Sequence, residues 1–335
     1  MKTAKFHQYI LNFKVPSGTS RGVLNTKETY FIEIFEGDKK GIGECSLFRG
    51  LSFDDDDDYE IALEWACRNI NLKLEELQEE LVNHPSIIFG IEQALLNLEH
   101  QGDLYFPSEF TEGKDSIKIN GLIWMGDSDY MQSQIEEKIK NNFTCIKLKI
   151  GTDWDSEKKI LKSLRQKFPK DKIELRVDAN GAFSPEQAKI VLQELAALDI
   201  HSIEQPIKAG DWEAMAELCK NTPTPIALDE ELIGILNYES KKELLKIIKP
   251  QYIILKPSLI GGFSGSDEWI ELAEQNNIGW WITSALESNI GLNAIAQYTY
   301  IKKNPMPQGL GTGSLFTNNF ETPLYLKGEN LWYKN

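Results

Sequence analysis

The sequence predicts an α/β protein: a modified TIM barrel of the (β/α)7β kind with an N-terminal α+β capping domain. Three observations lead there. From about residue 116, short apolar runs alternate with amphipathic helical stretches, the rhythm of a parallel sheet with helical crossovers. One run after another ends in an ionisable residue. The first ~105 residues instead read as strands followed by helices, a separate α+β pattern. The expected boundaries are 1–105 for the capping domain and 106–316 for the barrel, with 317–335 packing back on the capping domain.

Residues 6–15 and 29–35 read as strands, and the polar turn Glu36-Gly37-Asp38-Lys39-Lys40-Gly41 returns the chain as a hairpin does. Apolar periodicity becomes helical over 59–70 and again over 86–98. The aspartate run 54–58 lacks the glycine and glutamate of an EF-hand, with Tyr59 and Trp65 in their places. It reads as a solvated helix N-terminus. Barrel strands are expected at 117–119, 145–150, 174–178, 200–204, 226–229, 252–256, 280–283 and 308–310. Helical patterns such as 155–168, 185–198, 239–248 and 267–275 fall between them. Eight strands with seven helices is the barrel signature. A doubly wound sheet would carry a glycine-rich phosphate turn, and neither G-x-G-x-x-G nor a P-loop is present. Trp280-Trp281 begins a strand and reads as core or interface.

Composition limits the function. The 335 residues carry 36 Lys and Arg against 51 Asp and Glu, a net charge of −15. That argues against sequence-independent nucleic-acid binding and against docking on anionic membranes. It leaves small anionic substrates open, because a local lysine cluster can hold an anion inside an acidic protein. The N-terminus lacks the apolar core of a signal peptide, and no run is long enough to span a membrane. Cys45, Cys67, Cys145 and Cys219 form no C-x-x-C, so reduced thiols and a cytoplasmic setting are expected. The four histidines show no metal-ligand spacing.

The strand ends carry the chemistry. Lys147-Leu148-Lys149 closes the second barrel strand, Asp178 the third, Glu204 the fourth, Asp229-Glu230 the fifth and Lys256 the sixth. Steps of 25 to 29 residues separate Lys149, Asp178, Glu204, Asp229 and Lys256, one β/α unit each. Such spacing puts them on one rim, the mouth where barrel active sites lie. Asp178, Glu204 and Asp229 offer oxygen only, which suits a hard cation, Mg²⁺ best. A metal flanked by Lys149 and Lys256 suits removal of a proton next to a carboxylate, through a metal-stabilised enediolate. A lysine must lose its own proton to act as the base, and Lys147, on the same strand face, favours that loss from Lys149.

Lys147-Leu148-Lys149, Arg176-Val177-Asp178-Ala179-Asn180, Ile203-Glu204-Gln205-Pro206, Leu228-Asp229-Glu230 and Lys256-Pro257 together resemble the motif set of the enolase superfamily, muconate-lactonizing subgroup. The resemblance spans essentially the whole chain. It implies Mg²⁺ ligands at Asp178, Glu204 and Asp229, acid/base lysines at Lys149 and Lys256, and supporting roles for Lys147, Asn180 and Glu230. Subgroup members are often multimers, so a homo-oligomer is open.

Dipeptide epimerases carry Asp-x-Asp at the end of the eighth strand, where this chain reads Gly309-Leu310-Gly311-Thr312-Gly313. That segment and Ser284-Ala285-Leu286-Glu287-Ser288-Asn289-Ile290-Gly291-Leu292 look most like o-succinylbenzoate synthases. The resemblance therefore implies dehydration of a succinyl-hydroxycyclohexadiene carboxylate in menaquinone synthesis, with a small-molecule carboxylate as partner. Lys149 would take the proton and return it to the departing hydroxyl, while Lys256 stays cationic. N-acylamino acid racemization with the same lysines is the alternative within enzymes, and a non-catalytic metabolite-binding barrel the alternative outside them.

Three further substrate contacts are expected. Arg21, in a loop at residues 18–24 that the resemblance folds over the mouth, is a candidate for a substrate carboxylate; an ordinary hairpin loop is the alternative. Ser284 and Ser288 are candidates for the succinyl end, or else helix caps. Arg176 is expected to neutralise the ligand cluster rather than to touch substrate.

Overall fold

A computed structural model describes residues 1–19, 22–124 and 128–334. β1 (Thr3–Thr19), β2 (Gly22–Glu36) and β3 (Lys39–Cys45) form an antiparallel sheet in that order. The β2–β3 hairpin turns at Gly37 and Asp38, with Gly37 in the left-handed region its turn requires. Alternation along the strands gives the sheet two unlike faces. Tyr30, Ile32, Ile34 and Cys45 pack with α1 (Tyr59–Arg68), α2 (Leu74–Glu80) and α3 (Pro85–His100) into one apolar core. The opposite face carries Lys27, Thr29, Phe31 and Glu44, all buried, and turns toward the barrel. β3 lies so close on α3 that a Cβ on Gly43 would stand 1.9 Å from the Gly90 carbonyl.

Asp54 departs from the solvated aspartate run expected from the sequence. It is fully buried and accepts from the Ser86 backbone N–H at 2.9 Å and its hydroxyl at 2.6 Å. It thereby caps α3 from outside the helix, because the first N–H groups of a helix have no internal partner. α2 was not expected from the sequence: seven residues are too short for periodicity to speak.

β4 (Ser116–Lys118) leads into the barrel. The strands β5 (Gly121–Ile123), β6 (Cys145–Lys149), β7 (Glu174–Asp178), β8 (Ser202–Glu204), β9 (Ile226–Leu228), β10 (Tyr252–Leu255) and β11 (Gly279–Ile282) pair in parallel in chain order. Among the described residues, seven helices follow them: α4 (Ser128–Lys140), α5 (Trp154–Lys167), α6 (Pro185–Ala196), α7 (Trp212–Asn221), α8 (Tyr238–Ile248), α9 (Gly262–Gln275) and α10 (Asn289–Ile301). Side-chain caps from Asp153, Ser184, Asp211, Asn237 and Ser288 start five of them. Gln308 and Gly309 close the barrel, bridging in parallel to Ile119 and Thr283. The expected strand at 117–119 thus meets the barrel at its end, where Lys118 and Asn120 exchange backbone hydrogen bonds with Gln308, and the first barrel strand runs on through 121–123, which pair with β6. Ser116–Lys118 also pairs antiparallel with β13 (Asn330–Tyr333), itself hairpinned to β12 (Leu324–Lys327). Just before that hairpin, Phe316 and Phe320 pack on Phe13, Tyr9 and Phe31 of the capping sheet.

Outward barrel residues such as Ile226, Leu228, Ile253 and Leu255 join the core beneath the helices. Inward ones such as Ala227, Ile254 and Trp281 form their own cluster. Arg176 also points inward, but to the far end of the barrel. It pairs with Glu174 at 2.7 Å, donates to the Pro307 carbonyl and lies over the Trp281 ring. The expectation that it neutralises the acidic cluster is corrected: one strand step below Asp178, its charge is taken up by Glu174. The four cysteines are free thiols, and among the described residues no helix is long and apolar enough to cross a membrane.

Candidate active site

The rim expected from spacing is present. Lys149 pairs directly with Asp178 across β6 and β7, and Asp178 with Glu204 across β7 and β8. Asp229 follows β9, and Lys256 follows β10. All five are buried or nearly so. Lys147 Nζ donates to Glu204 Oε2 at 2.6 Å and stands 3.6 Å from Asp178 Oδ2. Lys149 Nζ donates to the same Asp178 oxygen at 2.9 Å and to Asn180 Oδ1 at 2.7 Å. Asn180 in turn donates to Glu230 at 3.0 Å. Lys256 pairs with Asp229 Oδ2 on the other side.

Burial and crowding set the charges. Burial pushes the Asp178 carboxyl up, but Lys149 and Lys147 outweigh it and hold the group below its ordinary value. Burial, and then the charge of Asp178, push Glu204 up to about 8. Burial also raises Asp229, with Lys256 opposing it. Lys147 and Lys256 lose by burial but gain more from the carboxylates, so both stay above the ordinary lysine range. Three carboxylates thus share one buried space with three lysines, each carboxylate facing one of them. Among the described residues Glu204 Oε1 is buried without a hydrogen-bond partner. An orphaned carboxylate oxygen among all-oxygen donors suits a hard divalent cation. As the side chains stand, each carboxylate faces a lysine, and among the described residues no three acidic, His or Cys side chains close on a common point.

A cavity opens above this cluster, lined by Lys147, Lys149, Asp178, Glu204 and Lys256. Asn180, Glu230 and Ser284 line it too. Ser284 Oγ shares a 2.6 Å hydrogen bond with Thr312 and accepts from the Leu286 N–H. Ser288 is corrected. It is fully buried, its hydroxyl caps α10 and donates to Glu44 at 2.6 Å, and it does not line the cavity. Of its two sequence readings, the helix cap is the one observed. Arg21 lies outside the described residues. The loop expected at 18–24 is largely strand, with Thr19 paired to Gly22.

Other wall residues were missed from the sequence. Phe48 and Leu51, from the segment after β3, cover the cavity, and Asn120, Leu122 and Trp124 flank it from the first barrel strand. Nothing in an isolated apolar residue marks it as a lid. Gln205 was quoted only as part of a motif. Its side-chain oxygen accepts from the backbone N–H groups of Asp229 and Glu231 and so sets the turn that presents Asp229. Its own φ of +38° is costly for a residue other than glycine, and such strain gathers at functional sites.

The model of the enolase C-terminal domain-like family matches residues 130–324. An o-succinylbenzoate synthase of Desulfotalea psychrophila is 45% identical over 95% of both chains. The crystal structure of MenC from the same organism superposes with a TM-score of 0.88, at 40% identity over 99% of each chain. An N-succinylamino acid racemase of an Amycolatopsis species is 24% identical over 94% of this chain and 88% of its own. An L-Ala-D/L-Glu epimerase structure from Bacillus subtilis shares the fold, with a TM-score of 0.84 at 20% identity over 98% of this chain and 95% of its own.

Proposed function

The chain belongs to the enolase superfamily, and from that premise we propose that it is a carbon–oxygen lyase, an o-succinylbenzoate synthase. It dehydrates a succinyl-hydroxycyclohexadiene carboxylate to o-succinylbenzoate, a step of menaquinone biosynthesis, in the cytoplasm.

Lys149 is the base. Its Nζ, held by Asp178 and Asn180, faces the cavity and takes the proton α to the ring carboxylate. The C–H electron pair enters the ring, the C–O bond of the neighbouring hydroxyl breaks, and the departing oxygen takes the proton back from Lys149 to leave as water. Lys256 keeps its proton, as its carboxylate neighbours favour, and its charge faces the negative charge that develops in the ring. Asp178, Glu204 and Asp229 would hold Mg²⁺, which when bound supplies fixed positive charge against the ring carboxylate. Aromatisation drives the reaction, so positioning and charge are what the protein must add.

The observation that carries the lyase reading over the epimerases is the wall at Gly309 and Gly311. Among the described residues, the acids lining the cavity are Asp178, Glu204 and Glu230, all on the β7–β9 side. No carboxylate stands at the eighth strand to hold a substrate ammonium. Lys256, opposite Lys149, favours a second activity on the same site, racemization of N-acylamino acids. The test is loss of diene absorbance on mixing the chain with substrate and Mg²⁺. Fast turnover that a chelator abolishes supports the reading; no turnover with Mg²⁺ present overturns it.

A further inference from the structure

The polar face of the capping sheet meets the barrel in a buried network that the chemistry above does not use. Glu44 on β3 is fully buried and accepts four hydrogen bonds. Its Oε1 takes the Thr29 hydroxyl and the Ser288 N–H, and its Oε2 takes the Ser288 hydroxyl and the Gly291 N–H. Three of the four come from the start of α10, so the capping domain supplies the anion for a barrel helix. Gly291 is required there, since a Cβ would stand 2.7 Å from Glu44 Oε2.

Glu287, one residue before the cap, is also fully buried. It accepts the Ser258 hydroxyl at 2.5 Å and the Ala285 N–H at 2.7 Å. Ser258 stands two residues past Lys256, and Ala285 lies in the cavity wall. Glu287 therefore ties the turn after β10 to the loop after β11. Lys27 on β2 is buried and donates to Ser46 at 2.7 Å; burial pulls its ammonium below the ordinary lysine value against the charges of Glu44 and Glu287. The loop needs such a hold, because Leu286 has a φ of +64°, a conformation that costs a non-glycine residue.

We propose that Glu44 and Glu287 are positioning residues: Glu44 clamps the capping sheet to the start of α10, and Glu287 holds Lys256 and the Ser284–Leu286 wall in catalytic register. The clamp works through backbone and hydroxyl contacts and does not touch substrate. Its effect on turnover rests on the lyase reading; its mechanical part does not.

Amide hydrogen exchange of the substrate-free chain tests the mechanical part. In Glu44→Gln and Glu287→Gln, residues 284–291 should exchange about 10-fold faster or more, and in Glu287→Gln residues 257–260 should follow. Kinetics tests the catalytic part. Glu287→Gln should lower kcat about 10- to 100-fold while KM stays within about 3-fold, as expected when bound substrate meets a displaced Lys256. Should Glu287→Gln fail to fold, Ser258→Ala removes the tie to the Lys256 turn alone and should show both effects more weakly. Unchanged exchange in these segments, or unchanged kcat in a folded Glu287→Gln or Ser258→Ala, overturns the clamp. A wild-type chain inert toward the diene would overturn the lyase reading while exchange still judges the clamp.

Discussion

Lys149 and Lys147 converge on a single oxygen, Asp178 Oδ2, at 2.9 Å and 3.6 Å. Two cations on one strand face thus share one buried carboxylate, and each has a second partner: Asn180 for Lys149, Glu204 for Lys147. The second partners decide which way each ammonium leans.

Asn180 is the partner that keeps Lys149 over the cavity. Asn180→Ala should leave the fold intact and lower kcat about 10- to 100-fold, because a misaimed base loses much of its advantage. Steady-state kinetics with circular dichroism as a folding control measures it; a kcat within about 2-fold of wild type counts against this role.

The acidic trio should make the chain a cation binder. Saturating Mg²⁺ is expected to raise the melting temperature, since a ligand at about 100 times its Kd adds about 2.7 kcal/mol. Glu204→Gln should erase most of the rise. Equal rises in both proteins would place the ion elsewhere.

Much of this site was legible because barrel strands are short and end on the rim, so residues one β/α unit apart become neighbours. Asp178 and Glu204 were found that way, and they are direct ladder partners. Periodicity is weakest where strands are shortest: 117–119 reaches the barrel only at its end and also pairs with the C-terminal hairpin, while 121–123, which pair with β6, carry no signal of their own. It also failed where a polar residue serves another element. Asp54 looks like a surface group in the sequence, yet it satisfies a helix N-terminus in the interior, and Ser288 takes the cap of its two sequence readings. Partners far along the chain, such as Glu44 for Ser288, leave no local signal.

Asp54 should make stability depend on pH. Burial pushes its carboxyl up to about 6 in the folded chain, against 3.8 for the ordinary group. The folded state therefore holds the proton more tightly than the unfolded state. The associated stabilisation is fully present below pH ~4 and is lost as pH rises through ~6, on the order of 3 kcal/mol in all. Asp54→Asn, neutral at every pH, should flatten denaturant midpoints measured across that interval. Parallel curves for the two proteins would show that Asp54 does not titrate there.

Gly43→Ala tests how closely β3 must lie on α3. The added methyl would meet the Gly90 carbonyl and the Ala94 N–H, both backbone, so strand and helix must part. A loss of about 3 kcal/mol is expected from denaturant unfolding, at the upper end for overpacking. A loss below about 1 kcal/mol would mean that the sheet shifts freely on its helices.

Lys149 moves the proton while Lys256 supplies charge. The most direct measurement is turnover of the succinyl-hydroxycyclohexadiene carboxylate with Mg²⁺ by Lys149→Arg and Lys256→Arg, each shown to be folded. Arginine keeps the charge but does not give up its proton at neutral pH. Lys149→Arg should lose activity by about 1000-fold or more, while Lys256→Arg should keep a measurable fraction. Lys149→Arg with intact turnover would contradict this assignment of roles.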